Sequence, residues 1–293
     1  MNKRISSPKV MRDVIRRHQF TLKKSLGQNF LVDENILKHI VEAAELKEDS
    51  YVLEIGPGAG ALTRFLSGKA EKVIAVEIDR RLEPILKETL QGHDNVSVHF
   101  GDVLKIDLEE VIAEECPEGV PITVVANLPY YVTTPILMKL LTGGLHIQTI
   151  VVMVQKEVAS RLEAGPGQKS YGSLSIAVQY MADPKIIMTV PKTVFVPQPN
   201  VDSAVIKLAV RTERKVNVRD ETFFFRLVRA SFAQRRKTLI NNLMSNLYSK
   251  DRKGELLSVL HALDINPERR GETLTIAEFA RLSDALLEHV TEN

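Results

Sequence analysis

The chain has 293 residues, 44% of them hydrophobic and 26% charged, with one cysteine and a formal net charge of +2. A single cysteine, Cys116, excludes an internal disulfide and any multi-cysteine metal site, and no apolar run approaches the roughly 18 residues needed to span a bilayer. The near-neutral total conceals segregation: residues 1–24 carry eight Lys/Arg against one Asp, residues 211–239 carry nine against three acids, and the segments between and after them are acidic.

Two basic blocks around an acidic body suggest two arms of one polyanion-binding site. The first segment lacks an apolar signal region, so a cytoplasmic protein is expected. Residues 1–24 form a basic N-terminal extension. From residue 51, short β-branched runs alternate with amphipathic stretches, the pattern of a parallel sheet covered by helices. Strands are predicted at Tyr51–Ile55, Lys72–Glu77, Val96–Phe100, Ile122–Ala126 and Thr149–Val154, with helices near 60–67, 80–91, 107–115 and 134–142. A helix at Ser173–Met181 leads into two more strands, Ile186–Val190 and Ala204–Val210. Their short Pro-rich connection permits an antiparallel pair at the sheet edge. Residues 25–212 thus read as a seven-stranded doubly wound α/β domain. Beyond it, helices are predicted near 221–233, 235–248, 252–262 and 276–289, with Phe223, Phe224, Leu227, Val228, Leu239 and Leu243 at spacings suited to an apolar face. Residues 213–293 are therefore a small all-helical domain.

The first strand runs into Gly56-Pro57-Gly58-Ala59-Gly60 and a helix, the place where a doubly wound sheet binds its nucleotide. The Gly-x-Gly-x-Gly spacing departs from the Gly-x-Gly-x-x-Gly of a dinucleotide fold, which counts against NAD. Glu77 closes the second strand, at the offset where an acid holds ribose hydroxyls. Asp102 follows the third strand and can accept from an adenine amine, and Asn127 follows the fourth. Singly, Glu77 or Asp102 is more often a cap or a solvated loop residue. Four such groups ending four successive strands point to a cofactor that bears adenosine.

Asn127-Leu128-Pro129-Tyr130 is by itself an ordinary turn sequence. On that rim it gains a chemical reading. Adenine N6 is a poor nucleophile because its lone pair is delocalised into the ring. The Asn127 amide oxygen and the Leu128 carbonyl, aimed by Pro129, would hydrogen-bond both N–H groups, and Tyr130 would stack on the base.

These motifs together resemble the ribosomal RNA adenine dimethylase family, and more narrowly its branch acting on small-subunit (16S) ribosomal RNA. Three further segments carry the resemblance: Lys24-Ser25-Leu26-Gly27-Gln28-Asn29-Phe30-Leu31, Phe195-Val196-Pro197-Gln198-Pro199-Asn200-Val201-Asp202-Ser203, and Ser231-Phe232-Ala233-Gln234-Arg235-Arg236-Lys237-Thr238-Leu239. The resemblance implies a class I, Rossmann-like methyltransferase fold that uses S-adenosyl-L-methionine, with Asn29, Leu31, Gly56, Glu77, Asp102 and Asn127 at the cofactor. It implies Asn127, Leu128, Tyr130 and Phe195 at the target base, Phe195 closing over it. The reaction implied is dimethylation, at N6, of two adjacent adenosines near the 3′ end of 16S ribosomal RNA, in the course of ribosome biogenesis. One departure is visible: Tyr131 follows Tyr130 where many relatives have a smaller polar residue, which leaves the identity of the stacking ring open.

Arg235, Arg236 and Lys237 are read at a helix start, where basic residues oppose the helix dipole. Contact with RNA phosphates, shared with Lys23 and Lys24, is the better account of them. His18, His39, His93, His99 and His146 show no ligand spacing, so no metal is expected, and a monomer is expected. The rivals are a methylase of large-subunit (23S) ribosomal RNA, a non-catalytic ribosome assembly factor and, more remotely, an NAD-dependent oxidoreductase.

Overall fold

Runs of Val and Ile with both faces to be covered make the central strands, and the computed structural model describes residues 8–21, 23, 26–248 and 250–290. In chain order the first half comprises α1 (Pro8–Arg17), β1 (Phe30–Leu31), α2 (Glu34–Ala43), β2 (Tyr51–Ile55), α3 (Ala61–Ser67), β3 (Lys72–Glu77), α4 (Glu83–Thr89), β4 (Val96–Phe100), α5 (Leu108–Glu115), β5 (Ile122–Asn127) and α6 (Thr133–Thr142). There follow β6 (Ile147–Gln155), α7 (Lys156–Glu163), α8 (Ser173–Met181), β7 (Ala182–Val190), β8 (Phe195–Val196), β9 (Ser203–Val210), α9 (Glu221–Ser231), α10 (Leu239–Asn246), α11 (Lys253–Ala262) and α12 (Ile276–Val290).

Seven strands form one sheet in the order β4-β3-β2-β5-β6-β9-β7. The pairs β2/β3, β2/β5, β3/β4 and β5/β6 are parallel, and β9 runs antiparallel to β6. Val73, Ile74, Val124, Val125, Val151 and Val152 are fully buried, as a sheet covered on both faces requires. This is the expected α/β fold of a class I methyltransferase. Among the described residues no helix is long and apolar enough to cross a membrane.

Four features were not anticipated. Helix α1 lies inside the basic extension, where Arg17 and His18 pair with Glu88 at 2.7 and 2.6 Å and Val14 is buried. Helix α2 starts on Asp33, whose side chain accepts from the backbone N–H of Asn35 and Ile36. Helix α7 follows β6 without a break. The fourth is a second sheet: β1 and β8 pair antiparallel, Phe30 opposite Val196 and Leu31 opposite Phe195.

The chain divides into two compact units, one of residues up to Ala159 with Asp183–Val210, the other of Ser160–Ala182 with residues from Arg211 onward. Helix α8 therefore packs with the C-terminal helices. Its Tyr180 ring lies 5.1 Å from that of Phe224, which is fully buried.

In this second unit the basic segment is not a helix start. Helix α9 ends at Ser231 and α10 begins at Leu239, so Arg235, Arg236 and Lys237 sit in the turn between them. Asn242, 1% exposed, holds that turn from below. Its Nδ2 donates to the Ser231 and Gln234 carbonyls at 3.0 Å each, and its Oδ1 accepts from the Gln234 N–H at 3.0 Å. Those bonds satisfy backbone groups that a continuous helix would otherwise have paired.

Candidate active site

The parallel register sets the site. Ile55 lies opposite Val76 on one side and opposite Ala126 on the other. One step further along three adjacent strands come Glu77, Gly56 and Asn127, forming a row at the carboxyl edge. At about 4.8 Å per strand the two outer residues are held roughly 10 Å apart, with the glycine between them. Backbone bonds prolong the sheet through this row: Gly56 N donates to the Val76 carbonyl and Leu128 N to that of Met153.

Above the row opens a cleft. Asn29, Leu31, Gly56, Glu77, Asn127, Leu128 and Tyr130 all line it, together with Glu54 and Ile78. The glycine loop has to be glycine. Gly56, Gly58 and Gly60 have φ of +71°, +58° and +83°, and a Cβ on Gly58 would stand 2.8 Å from the Phe30 ring. A Cβ on Gly56 would meet nothing nearer than the Asn127 carbonyl oxygen at 4.0 Å, so it would take space from the cleft.

The segment before β1 is held beside the loop by Gln28, whose Nε2 donates to Asp79 at 2.9 Å while its Oε1 accepts from Lys23 N at 3.0 Å. Asp79 is clamped in turn by Arg81 at 2.6 Å, and that guanidinium holds the Asp79 carboxyl below the usual range.

Two carboxyls lie under the cleft. Glu77 accepts from Gly58 N at 3.1 Å and from Asp79 N at 2.8 Å, tying the glycine loop to the following turn. Burial nevertheless pushes it up to about 7. Glu54, inside β2, is 1% exposed, and its Oε2 has no partner among the described residues. Burial, aggravated by the Glu77 charge, drives it to about 8, so Glu54 is mostly protonated at neutral pH. Glu54 was missed from the sequence, although an acid inside a run of apolar strand residues was the available signal.

The tetrapeptide that begins on the last residue of β5 is held by hydrogen bonds. Asn127 Nδ2 donates to the Asn29 carbonyl at 3.1 Å. The amide is thereby oriented, and Oδ1 is left as its acceptor. Thr133 Oγ1 donates to the Pro129 and Tyr130 carbonyls at 3.2 and 3.4 Å, and Val132 N donates to Pro129 at 3.2 Å. Among the described residues no donor takes the Leu128 carbonyl. The Tyr130 hydroxyl shares a 2.7 Å bond with Ser203 Oγ, and burial raises its pKa.

Two of the expected residues do not line the cleft. Asp102 turns onto its own loop, where Oδ1 accepts from Leu104 N at 3.0 Å, with Lys105 3.9 Å from Oδ2. Phe195 is 3% exposed, buried in the β1–β8 pair opposite Leu31.

Of the basic residues, Lys23 is exposed, and Lys24 lies outside the described residues. Arg236 and Lys237 are exposed, whereas Arg235 donates to the Lys169 carbonyl and pairs with Glu272 at 3.3 Å. Among the described residues no group of three or more His, Cys, Asp or Glu is placed to hold a metal ion.

A family model described as ribosomal RNA adenine dimethylase matches residues 19–282. The chain is 58% identical over 291 residues to the ribosomal RNA small subunit methyltransferase A of Geobacillus sp. (strain WCH70), covering 99% of this chain and 100% of that one. It is 57% identical over 288 residues to the protein of that name from Bacillus mycoides (strain KBAB4), covering 98% and 99%. Among solved structures, a dimethyladenosine transferase from Plasmodium falciparum superposes with a TM-score of 0.74 at 30% identity, covering 88% of this chain and 96% of that one. The 23S rRNA methyltransferase ErmE does so with a TM-score of 0.67 at 28% identity, covering 88% and 99%. The cleft built around Gly56, Glu77 and Asn127 and these matches along nearly the whole chain agree: the chain belongs to the ribosomal RNA adenine dimethylase family.

Proposed function

We propose that this protein dimethylates, at N6, two adjacent adenosines near the 3′ end of small-subunit ribosomal RNA, with S-adenosyl-L-methionine as methyl donor. The observation that carries the reading is the Asn127 amide, oriented by Asn29 so that an acceptor remains, on the same strand edge as the glycine loop and Glu77. Identity of 57–58% along nearly the full length to small-subunit enzymes, against 28% to ErmE, favours the small over the large subunit.

The donor supplies an electrophilic methyl group on a sulfonium. The cleft suits such a ligand: Gly56 leaves room against the backbone, and the Glu77 carboxyl and the unpartnered oxygen of Glu54 offer acceptors. Glu77 would take ribose hydroxyls, with Asn29 and Leu31 closing the other side. Asp102 Oδ1 is held in its own turn, which leaves Oδ2 as the oxygen that would accept from the adenine of the donor.

Asn127 Oδ1 and the Leu128 carbonyl accept the two N6 hydrogens of the target and favour the tetrahedral nitrogen that has a lone pair to give. Tyr130, whose edge is fixed by Ser203, is the ring that stacks on the flipped-out base. Phe195 joins as a second ring only if the β1–β8 pair turns it outward. After alkylation the nitrogen sheds its proton to water, so no strong base is required. For the second transfer one methyl occupies one acceptor's place, and the remaining N–H is presented to the other.

Labelled methyl transfer to small subunits that lack the modification, followed by nucleoside digestion, should yield dimethyladenosine. Label in large-subunit RNA alone would overturn the assignment.

The exposed pair Arg236 and Lys237 contacts RNA phosphate. Arg236→Glu with Lys237→Glu should weaken subunit binding and flatten its log–log dependence on salt by about 1.4–1.8, given roughly 0.7–0.9 per phosphate contact. Arg235→Ala should instead lower the thermal midpoint, because its guanidinium is engaged within its own unit. An unchanged salt slope in the double variant would remove the turn from the RNA contact.

A further inference from the structure

Tyr131 is 56% exposed, more than any other large hydrophobic residue among the described ones, and lies directly after the Tyr130 that lines the cleft. A solitary exposed aromatic is ordinary. Two observations set this one apart. The backbone between the rings is clamped by the Thr133 and Val132 bonds to Pro129 and Tyr130, and the Tyr130 hydroxyl is bound to Ser203, so the two rings cannot exchange places. The Tyr131 ring is also backed by Gly27, where φ is +60° and a Cβ would come 3.1 Å from the ring's Cε1. Gly27 itself lines the cleft, so the ring rests on the cleft wall with much of its surface open to solvent.

An RNA strand that delivers one base to the cleft must unstack it from its neighbour, at a cost of a few kcal/mol. The neighbour is left with a bare face beside the mouth. Tyr130 lines the cleft, whereas the Tyr131 ring rests outside its lining against Gly27, so one ring is placed for the base in the cleft and the next for the base left at its mouth.

We propose that Tyr131 is a second base platform, stacking on the nucleotide that adjoins the target adenosine while Tyr130 holds the target itself. The proposal rests on the adenosine reading above. It makes adjacency part of recognition, because whichever adenosine occupies the cleft, its neighbour occupies the platform. Val201, 45% exposed and two residues before the Ser203 that anchors Tyr130, is a further apolar surface for the same strand.

The test is single-turnover methyl transfer to unmethylated small subunits by the full chain and by Tyr131→Ala, Tyr131→Leu and Tyr131→Phe, with donor affinity measured by calorimetry. Tyr131→Ala should raise the half-saturating subunit concentration roughly 5- to 160-fold, the range for one lost base–aromatic stack, with the donor dissociation constant within twofold. Tyr131→Leu keeps apolar bulk without a π-face and should be equally impaired, whereas Tyr131→Phe should be restored. Normal saturation by Tyr131→Ala, or full rescue by Tyr131→Leu, overturns the platform. Failure of the unsubstituted protein to methylate small subunits would instead refute the proposed function.

Discussion

Asn127→Ala should lower the methyl-transfer rate by roughly 10²–10³, the loss seen when one preorganised hydrogen-bonding group is removed from a reacting centre. Donor affinity should stay within a few fold, because the variant leaves Glu54, Glu77 and the glycine loop in place. The cost in stability should be small, about 1 kcal/mol for the bond from Nδ2 to the Asn29 carbonyl. Asn127→Asp separates the two uses of the side chain. It keeps an acceptor but places a carboxylate against a carbonyl oxygen, so it should lose the orientation as well as the rate. Near-normal transfer by Asn127→Ala in single-turnover assays would show that the N6 hydrogens are held elsewhere.

Glu54→Gln should change how stability depends on pH. Glu54 is fully inside β2, opposite Ala75 and Val125, with one oxygen unpartnered. Burial raises its carboxyl from 4.5 to about 8 in the folded protein. An acid raised on folding binds its proton more tightly in the native state. Its favourable contribution is complete below about pH 4.5 and is lost as the pH rises to about 8, at 1.36 kcal/mol per pH unit, or roughly 5 kcal/mol in all. Glu77, raised to about 7, adds a drop of the same sign over a narrower window. Thermal unfolding of Glu54→Gln and the unsubstituted protein should therefore nearly coincide at pH 5 and separate by several degrees at pH 9, the variant being the more stable. Parallel pH profiles would mean that Glu54 is ionised throughout and has a partner that offsets its burial.

The sheet was legible because its strands are short, β-branched and bounded, and because a parallel edge puts ligand groups at strand ends. Glu77 and Asn127 could be found that way, since each is the first polar residue after an apolar run. Length defeats the same reasoning at Phe30–Leu31 and Phe195–Val196: two residues have no period, and their pairing joins segments far apart in the sequence. Those four residues decide whether Phe195 faces a base or the core. Helix α2 was readable in principle from Asp33 and the spacing of Ile36, Leu37, Ile40 and Val41.

The basic segment misled for a different reason. Residues of good helix propensity from Gln234 to Lys237 leave the helix because Asn242, a buried polar residue within α10, satisfies the turn better. Composition likewise counts Arg17 and Arg235 as free cations, while the fold engages them with Glu88 and Glu272. Charge tallies overestimate an RNA surface wherever acids are at hand to fold against it.

The bond from Asn127 to the Asn29 carbonyl also determines what this cleft refuses. With one N–H of its amide bound to that carbonyl, Asn127 would turn its Oδ1 toward the incoming base, beside the Leu128 carbonyl. Guanine and uracil present a carbonyl oxygen where adenine presents its amine, so they would set oxygen against oxygen with no donor between. Hypoxanthine, which has almost the size and shape of adenine, would be turned away on the same ground. A site built to pair a substrate's N–H rejects analogues lacking it far more strongly than a shape-fitting pocket can, by roughly 10⁴–10⁵ against 10². The rejection of bases with a carbonyl in that place would thus be a matter of polarity, set by one backbone oxygen ninety-eight residues away in the chain.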